Sequence, residues 1–117
     1  MPSVFASLTH LNQSRDPSVD QRRIQRDLVD MVSHITANGR TYGARIINIS
    51  ALGLMCRSDA QFDIGQRMTV WLPVAKDLAG EVRWAEDGRV GVEFLARIDQ
   101  PMYDAMLSLI PPRQTAW

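Results

Sequence analysis

The chain is poor in the residues that most catalytic and metal sites need. It has one cysteine and two histidines among 117 residues. Because Cys56 is alone, neither an internal disulfide nor a cluster of cysteine metal ligands can form. Nucleophilic catalysis needs a supporting base, but His10 lies near the N-terminus and His34 lies on a predicted strand. We therefore expect a protein with no catalytic residues and no metal site, and not an enzyme.

An excess of charge of either sign is also missing. Thirteen basic residues balance thirteen acidic ones, so the formal net charge is zero. A global attraction to nucleic acid or to an anionic membrane is therefore not indicated, and any anion site must be local. Twelve of the basic residues are arginine and only Lys76 is lysine. This bias suits bidentate anion recognition, but it also follows from a high genomic G+C content.

Long apolar runs are absent as well. No run reaches the roughly 18 residues that cross a bilayer. The first ten residues, "MPSVFASLTH", have neither the basic start nor the apolar length of a signal peptide. Together with the single cysteine, these features lead us to expect a soluble cytoplasmic protein without membrane insertion.

What the chain does have is an alternation of apolar and polar residues through residues 27–94. In "RMTVWLP", Met68, Val70 and Leu72 face one way. In "LAGEVRW", the same alternation places Trp84 on one face with Gly80 and Val82. Turn signals such as Asn38-Gly39 and Asp87-Gly88 recur about every eight to twelve residues. The pattern predicts an all-β dominated fold, a small six-stranded antiparallel barrel.

A short helix is predicted after the last strand. Asp99 is a plausible N-cap, and Pro101 is tolerated in a first helical turn. We therefore divide the chain into a flexible N-terminal arm (1–20), a barrel domain with its C-terminal helix (21–111) and a tail (112–117). The apolar face of the helix is expected to comprise Met102, Met106, Leu109 and Ile110.

Three arginines lie within five positions in "QRRIQR", just before the first predicted strand. Arg22 and Arg26 are four positions apart, and Arg23 lies between them. Guanidinium groups bind phosphate oxygens bidentately, and they also bond the O6 and N7 edge of guanine or stack on a base. An anionic ligand would relieve the repulsion within the cluster. The alternative is a solvated basic linker that is partly neutralised by Asp20 and Asp27.

A second polar stretch, "NISALG", ends the second predicted strand. Asn48 and Ser50 carry short polar side chains that bond neighbouring backbone or a ligand edge. Gly53 permits a positive φ, or the close approach of another group to the backbone. Read alone, the stretch is also explained by a turn that Asn or Ser stabilises and that needs a glycine.

The two stretches together resemble the signature of the PilZ domain family. That signature is Arg-x-x-x-Arg before the barrel and Asn-x-Ser-x-x-Gly, which here starts 22 positions after the second arginine. The later segments "GEVRW" and "DGRVGVEF" are similar to the closing hairpin of the family. The resemblance covers about residues 20 to 110, nearly the whole chain apart from the N-terminal arm.

The resemblance implies a PilZ-like barrel that binds cyclic di-GMP, as many bacterial PilZ domains do. The two motif arginines would contact phosphates and guanine edges, and the arginine between them could add a third cationic contact. The second motif would hold a guanine and let the ligand lie against the barrel. The implied ligand-binding residues are Arg22, Arg23, Arg26, Asn48, Ser50 and Gly53.

The resemblance further implies a bacterial, cytoplasmic, single-domain receptor or adaptor with no cofactor. Ligand binding would change the conformation of the arm and present a new surface to an unidentified protein effector. Regulation of motility or biofilm formation would be the output. A monomer and a dimer both fit this scheme.

Two other functions stay open. A ligand-independent protein–protein interaction module of the same fold would use the N-terminal apolar turn or the C-terminal helix, with Met55, Met102 and Met106 as adaptable contacts. A nucleic-acid binder would use Trp71 or Trp84 as stacking platforms. Because the net charge is zero, we expect no nucleic acid polymer as a partner.

Overall fold

Six antiparallel strands close into a barrel in the computed structural model, which describes residues 26–113. Around the barrel the strand order is β1-β2-β3-β6-β5-β4, and β4 closes the circle by pairing with β1. The predicted six-stranded antiparallel barrel with a C-terminal helix is therefore confirmed. The elements are β1 (Arg26–Ala37), β2 (Arg40–Ser50), β3 (Gly53–Arg57), β4 (Arg67–Leu72), β5 (Lys76–Glu86), β6 (Arg89–Phe94) and α1 (Gln100–Leu107).

Two hairpin turns take the left-handed backbone conformation that their sequences predict. Asn38 and Gly39 have φ values of 53° and 74°, and they join β1 to β2. Asp87 and Gly88 have φ values of 53° and 76°, and they join β5 to β6. Two successive residues with positive φ give the turn that matches the twist of the flanking strands. These turns fix the register of both hairpins.

The barrel interior is filled by the apolar side of the period-two pattern. The single thiol, Cys56, belongs to this core, and burial raises its pKa to about 12. A thiol in that state is neutral and unreactive at neutral pH, so Cys56 is a packing residue. Strand residues with no exposed surface are Ile35, Ile46, Ile49, Leu54, Cys56, Val70, Leu72, Val82 and Val92.

A bulge in β5 reverses the predicted orientation of Trp84. The pairing of β5 with β6 shifts between Val82, which faces Val92, and Trp84, which faces Gly91. A Cβ added to Gly91 would lie 2.1 Å from Nε1 of Trp84. Because Val92 is in the core, its neighbour Gly91 faces outward, and so does the indole over it. The prediction that Trp84 shares the inner face of Val82 is therefore wrong, since the inserted residue changes the phase.

The C-terminal helix α1 closes the barrel with a different face from the one predicted. Asp99 caps it as expected, because its side chain accepts a hydrogen bond of 2.9 Å from the Met102 amide. Tyr103, Met106 and Ile110 are buried, but Met102 is 37% exposed and Leu109 is 63% exposed. Since α1 ends at Leu107, Leu109 no longer follows the helical period. Within residues 26–113, no helix has the length and apolarity to cross a membrane.

The chain after α1 returns to the first strand. The Pro111 carbonyl accepts a hydrogen bond of 3.0 Å from the Asp30 amide, and the Arg113 amide donates one of 3.2 Å to the Leu28 carbonyl. These contacts extend the sheet edge beside the start of β1. The predicted arm, residues 1–20, lies outside the described residues, and the predicted domain limits stay predictions.

Candidate functional site

The structure brings together those predicted site residues that it describes. Arg26 is the first residue of β1 and pairs directly with Ser50, while Leu28 pairs with Asn48. Because residues two apart on a strand face the same way, Arg26, Asn48 and Ser50 share one outer face of the β1–β2 pair. Gly53 begins β3, next to them. Arg22 and Arg23 lie outside the described residues.

Arg26 carries its charge in a partly desolvated position. Burial lowers the pKa of its guanidinium from the usual value. A guanidinium nevertheless stays protonated in proteins, so Arg26 is a permanent cation beside the polar face of β2. Such a position strengthens its interaction with an anion, because the surroundings screen the charge less than bulk water does.

Ser50 is committed to the turn between β2 and β3. Its hydroxyl accepts a hydrogen bond of 3.1 Å from the Leu52 amide and donates one of 3.4 Å to the Gly53 carbonyl. The residue is only 1% exposed. These contacts match the serine-stabilised turn that the sequence admits. Ser50 therefore shapes the loop that leads into β3.

Gly53 does not use the conformational freedom of glycine in its φ angle. The glycines with positive φ in the described chain are Gly39, Gly65 and Gly88. Gly53 is instead a buried strand residue that pairs with Glu93 on β6. Of the two reasons that the sequence suggests for a glycine here, a left-handed turn does not apply.

Asn48 has an unsatisfied polar atom. Its Oδ1 is buried and has no hydrogen-bond partner, although the residue is half-buried and lies on the outer face of β2. The β2–β3 pairing shifts between Ile46 and Asn48, and this bulge turns the strand locally. A buried acceptor without a donor costs about 1–3 kcal/mol. The Oδ1 atom of Asn48 can therefore accept a hydrogen bond from an N–H group of a bound molecule.

A row of residues runs from Asn48 across three further strands on the outside of the barrel. Asn48 pairs with Met55, Met55 with Gly91, and Gly91 with Trp84. The indole of Trp84 covers Gly91, where any Cβ would collide with it. Adjacent strands lie about 4.8 Å apart, so the row spans roughly 14 Å. We call these four residues the recognition row.

Both ends of the recognition row carry unsatisfied groups. Among the described residues, the buried side-chain N and O atoms without a partner are Oδ1 of Asn48 and Nε1 of Trp84. One is an acceptor and the other is a donor. Buried polar atoms are hydrogen-bonded in most proteins, so an exception requires an explanation. Of the two exceptions, Asn48 lies near Arg26, and Trp84 lies at the other end of the row, three strands away.

Trp84 is not among the ligand-binding residues that the two motifs imply, and the sequence suggests it only as a stacking platform of a nucleic-acid binder, because an unbroken alternation places it on the face of Val82. A signal for it was present. Counting outward from the Asp87-Gly88 turn places Trp84 opposite Gly91, and a large aromatic residue facing a glycine is a typical cross-strand arrangement. This count does not reveal the bulge in β5, so it does not predict on which face of the sheet Trp84 lies.

The arrangement suits a planar heteroaromatic ligand that bears anionic groups. The amide of Asn48 can accept from ring N–H or amino groups, and the indole of Trp84 offers an aromatic surface. Arg26 offers a cationic fork for phosphate oxygens. Within residues 26–113, no group of three histidine, cysteine or acidic side chains is placed to hold a metal ion.

Comparison with known protein families identifies one match. The family model of the PilZ domain matches residues 20–110. The match includes both polar stretches, the recognition row and α1. A search of curated proteins finds no match to the chain.

Proposed function

The chain belongs to the PilZ domain family, and from that premise we propose that it is a cyclic di-GMP receptor that signals to a protein partner. Cyclic di-GMP combines two guanines with two phosphates. The outer face of β1, β2 and β3 offers groups that complement both parts. The proposal describes binding and signalling, with no chemistry on the ligand and no cofactor.

The single observation that carries the proposal is the buried, unpartnered Oδ1 of Asn48 next to Arg26. Guanine presents N–H donors on one edge and acceptors on the other. An amide that lacks a donor in the ligand-free protein gains one when guanine binds. The gain includes relief of the desolvation cost already present, so this contact is worth more than an average exposed hydrogen bond.

The roles proposed for the described residues follow from where they lie, and those of Arg22 and Arg23 follow from the sequence motif alone. Asn48 accepts from the guanine edge, and Trp84 stacks on a base or donates from its indole nitrogen. The turn held by Ser50 sets the path from Asn48 to Gly53, so Ser50 acts by shaping the surface. Arg22, Arg23 and Arg26 bind phosphates and guanine edges with their guanidinium groups.

Signalling is proposed to use the segment that contains Arg22 and Arg23. Ordering this segment over the ligand costs conformational entropy, which charge-assisted hydrogen bonds and stacking offset. The ordered segment then presents a different surface to a protein effector. The ligand shifts an equilibrium between two states because only one of them contains the complete site. This scheme is compatible with a monomer or a dimer.

Isothermal titration with cyclic di-GMP tests the proposal, with GTP and linear pGpG as controls. We expect saturable binding of the cyclic dinucleotide, and its loss in an Arg22→Ala/Arg26→Ala variant that remains folded by circular dichroism. A matched control is Arg40→Ala, because Arg40 is exposed on β2 but lies at the far hairpin. A flat titration of folded wild-type protein would refute the proposal.

An exposed apolar surface on β1 favours a second candidate, a protein-interaction module that needs no ligand. Leu28 is 55% exposed and Val32 is 70% exposed, and both lie on the outer side of that strand. A partner protein could cover them. Under this alternative, a Leu28→Ser/Val32→Ser variant loses its partner while the Arg22→Ala/Arg26→Ala variant retains it.

A further inference from the structure

Three arginines form a row across the outside of the barrel. Arg45 on β2 pairs directly with Arg57 on β3, and Arg57 pairs directly with Arg89 on β6. All three residues are exposed. Directly opposite residues have Cβ atoms about 4.5–5.5 Å apart, so the Cβ atoms of Arg45 and Arg89, at the two ends of the row, are roughly 10 Å apart. We call these residues the arginine row.

Acidic side chains neutralise only one end of this row. Arg45 forms an ion pair with Asp30. In the described part of the chain, neither Arg57 nor Arg89 has a carboxylate within ion-pair distance. Glu86 lies opposite Arg89 on β5 without forming such a pair. Like charges directly opposite one another destabilise a sheet, so the row has a free-energy cost that a bound anion would remove.

The arginine row borders a cleft of about 390 Å³. A fourth arginine, Arg113, lines the same cleft, and among the described residues Asp30 is the only acidic one that lines it. The guanidinium of Arg113 donates a hydrogen bond of 3.2 Å to the Ile47 carbonyl, which holds it in place. Met55 also lines the cleft. Since Met55 belongs to the recognition row, the cleft opens directly beside that row.

We propose that the arginine row is a phosphate subsite for the same cyclic dinucleotide, with Arg57 and Arg89 holding one phosphodiester. The inference rests on the proposed function and names residues outside both sequence motifs. Arg57 is two residues from Met55 on β3, so the two rows are about 6.6 Å apart along the strand. A nucleotide whose base lies on the recognition row can place its phosphate on the arginine row.

The chemistry of the row selects a phosphate. A phosphodiester has two free oxygens that share one negative charge, and a guanidinium fork binds such a pair of oxygens in its plane. Two guanidinium groups on adjacent strands can approach one phosphate from two sides. Arg26 on β1 and Arg57 on β3 flank the strand that carries Asn48. Arg26 and the arginine row can therefore each take one of the two phosphates.

The test is titration of cyclic di-GMP into the full chain and into row variants. We expect Arg57→Ala and Arg89→Ala each to weaken binding about tenfold or more, the loss that removal of a charge-assisted hydrogen bond causes. The affinity of Arg57→Lys for cyclic di-GMP should lie between those of the wild type and Arg57→Ala, because lysine keeps the charge but lacks the planar guanidinium fork. The control is Arg40→Ala, eight residues from Asn48 on β2 and thus about 26 Å away along the strand. Its affinity should equal that of the wild type.

Folding of the variants is checked by thermal melting. Removing one of two facing arginines should leave the melting temperature unchanged or raise it, because the repulsion is relieved. Wild-type affinity in both Arg57→Ala and Arg89→Ala would overturn the phosphate subsite and leave the proposed function intact. An equal loss of affinity in Arg40→Ala would also overturn the phosphate subsite, since the loss would then come from the change in net charge and not from a local contact. Absence of binding by the folded wild type would refute the proposed function itself.

Discussion

The hydroxyl of Tyr103 on α1 lies 2.6 Å from Oδ2 of Asp27 on β1 and 3.0 Å from the carbonyl oxygen of Ile49 on β2. Tyr103 is only 2% exposed. One buried side chain thus ties the helix to the two strands that carry Arg26 and Asn48. Asp27 directly follows Arg26 in the chain, so a displacement of Arg26 would also move the carboxylate that anchors α1.

Replacing Tyr103 by phenylalanine should destabilise the fold. The change removes the single hydroxyl proton that the Asp27 carboxylate and the Ile49 carbonyl share. We expect the free energy of unfolding to fall by about 1–3 kcal/mol, measured by urea denaturation. Tyr42→Phe is the matched control, because the Tyr42 ring packs on Phe62 and its hydroxyl has no hydrogen bond in the described chain. Equal losses in the two variants would contradict the anchoring role of Tyr103.

Stability should decrease at alkaline pH through Cys56. Burial raises the pKa of its thiol from 9.0 to about 12. Since the folded state holds the proton more tightly than the unfolded state, the stabilisation is complete below pH 9 and is lost as pH rises towards 12. The slope is about 1.4 kcal/mol per pH unit in that window. Burial and the hydrogen bond to Asp27 also raise the pKa of Tyr103, which adds to the loss above about pH 10.

Urea denaturation at several pH values between 7 and 11 measures this effect. A Cys56→Ala variant is less stable at neutral pH because of the lost packing, but its stability should decrease less steeply above pH 9. If the free energy of unfolding decreased equally with pH in the variant and the wild type, the alkaline loss of stability would not come from Cys56.

The sequence was sufficient to predict the barrel, because strand alternation and turn chemistry are local. Asn38-Gly39 and Asp87-Gly88 predict their hairpin turns, and apolar and polar residues alternate with period two between them. The same locality explains the errors. The orientation of Trp84 depends on a bulge that the residue types do not predict. Tyr103 is buried because of a partner, Asp27, that is 76 positions away in the chain.

The site was predictable only as motifs. Asn48 belongs to a sequence motif, but its residue type does not show that Oδ1 is buried without a donor, since that depends on packing across three strands. Arg45, Arg57 and Arg89 are far apart in the chain, and only the register of β2, β3 and β6 aligns them. The roles of Arg22 and Arg23 stay predictions.

Gly91→Ala should displace Trp84 from the recognition row. An added Cβ would lie 2.1 Å from the indole nitrogen, a distance that real contacts do not allow. We expect a change in tryptophan fluorescence, a loss of stability of about 1–3 kcal/mol and weaker binding of cyclic di-GMP. Gly43→Ala is the matched control, because a Cβ at Gly43 on β2 meets no atom within 4 Å. Unchanged fluorescence in Gly91→Ala would contradict the close packing of Trp84 on this glycine.

Asn48→Leu should separate stability from binding. Leucine has a similar size and removes the buried oxygen that lacks a donor, so we expect the ligand-free protein to be as stable as the wild type or about 1–2 kcal/mol more stable. Binding of cyclic di-GMP should be lost, because the acceptor for the guanine edge is gone. Asn48→Asp keeps an acceptor and should retain binding. Thermal melting and isothermal titration on the same samples decide the matter. A large destabilisation of Asn48→Leu would mean that the amide supports the fold, and full binding would mean that it does not contact the ligand.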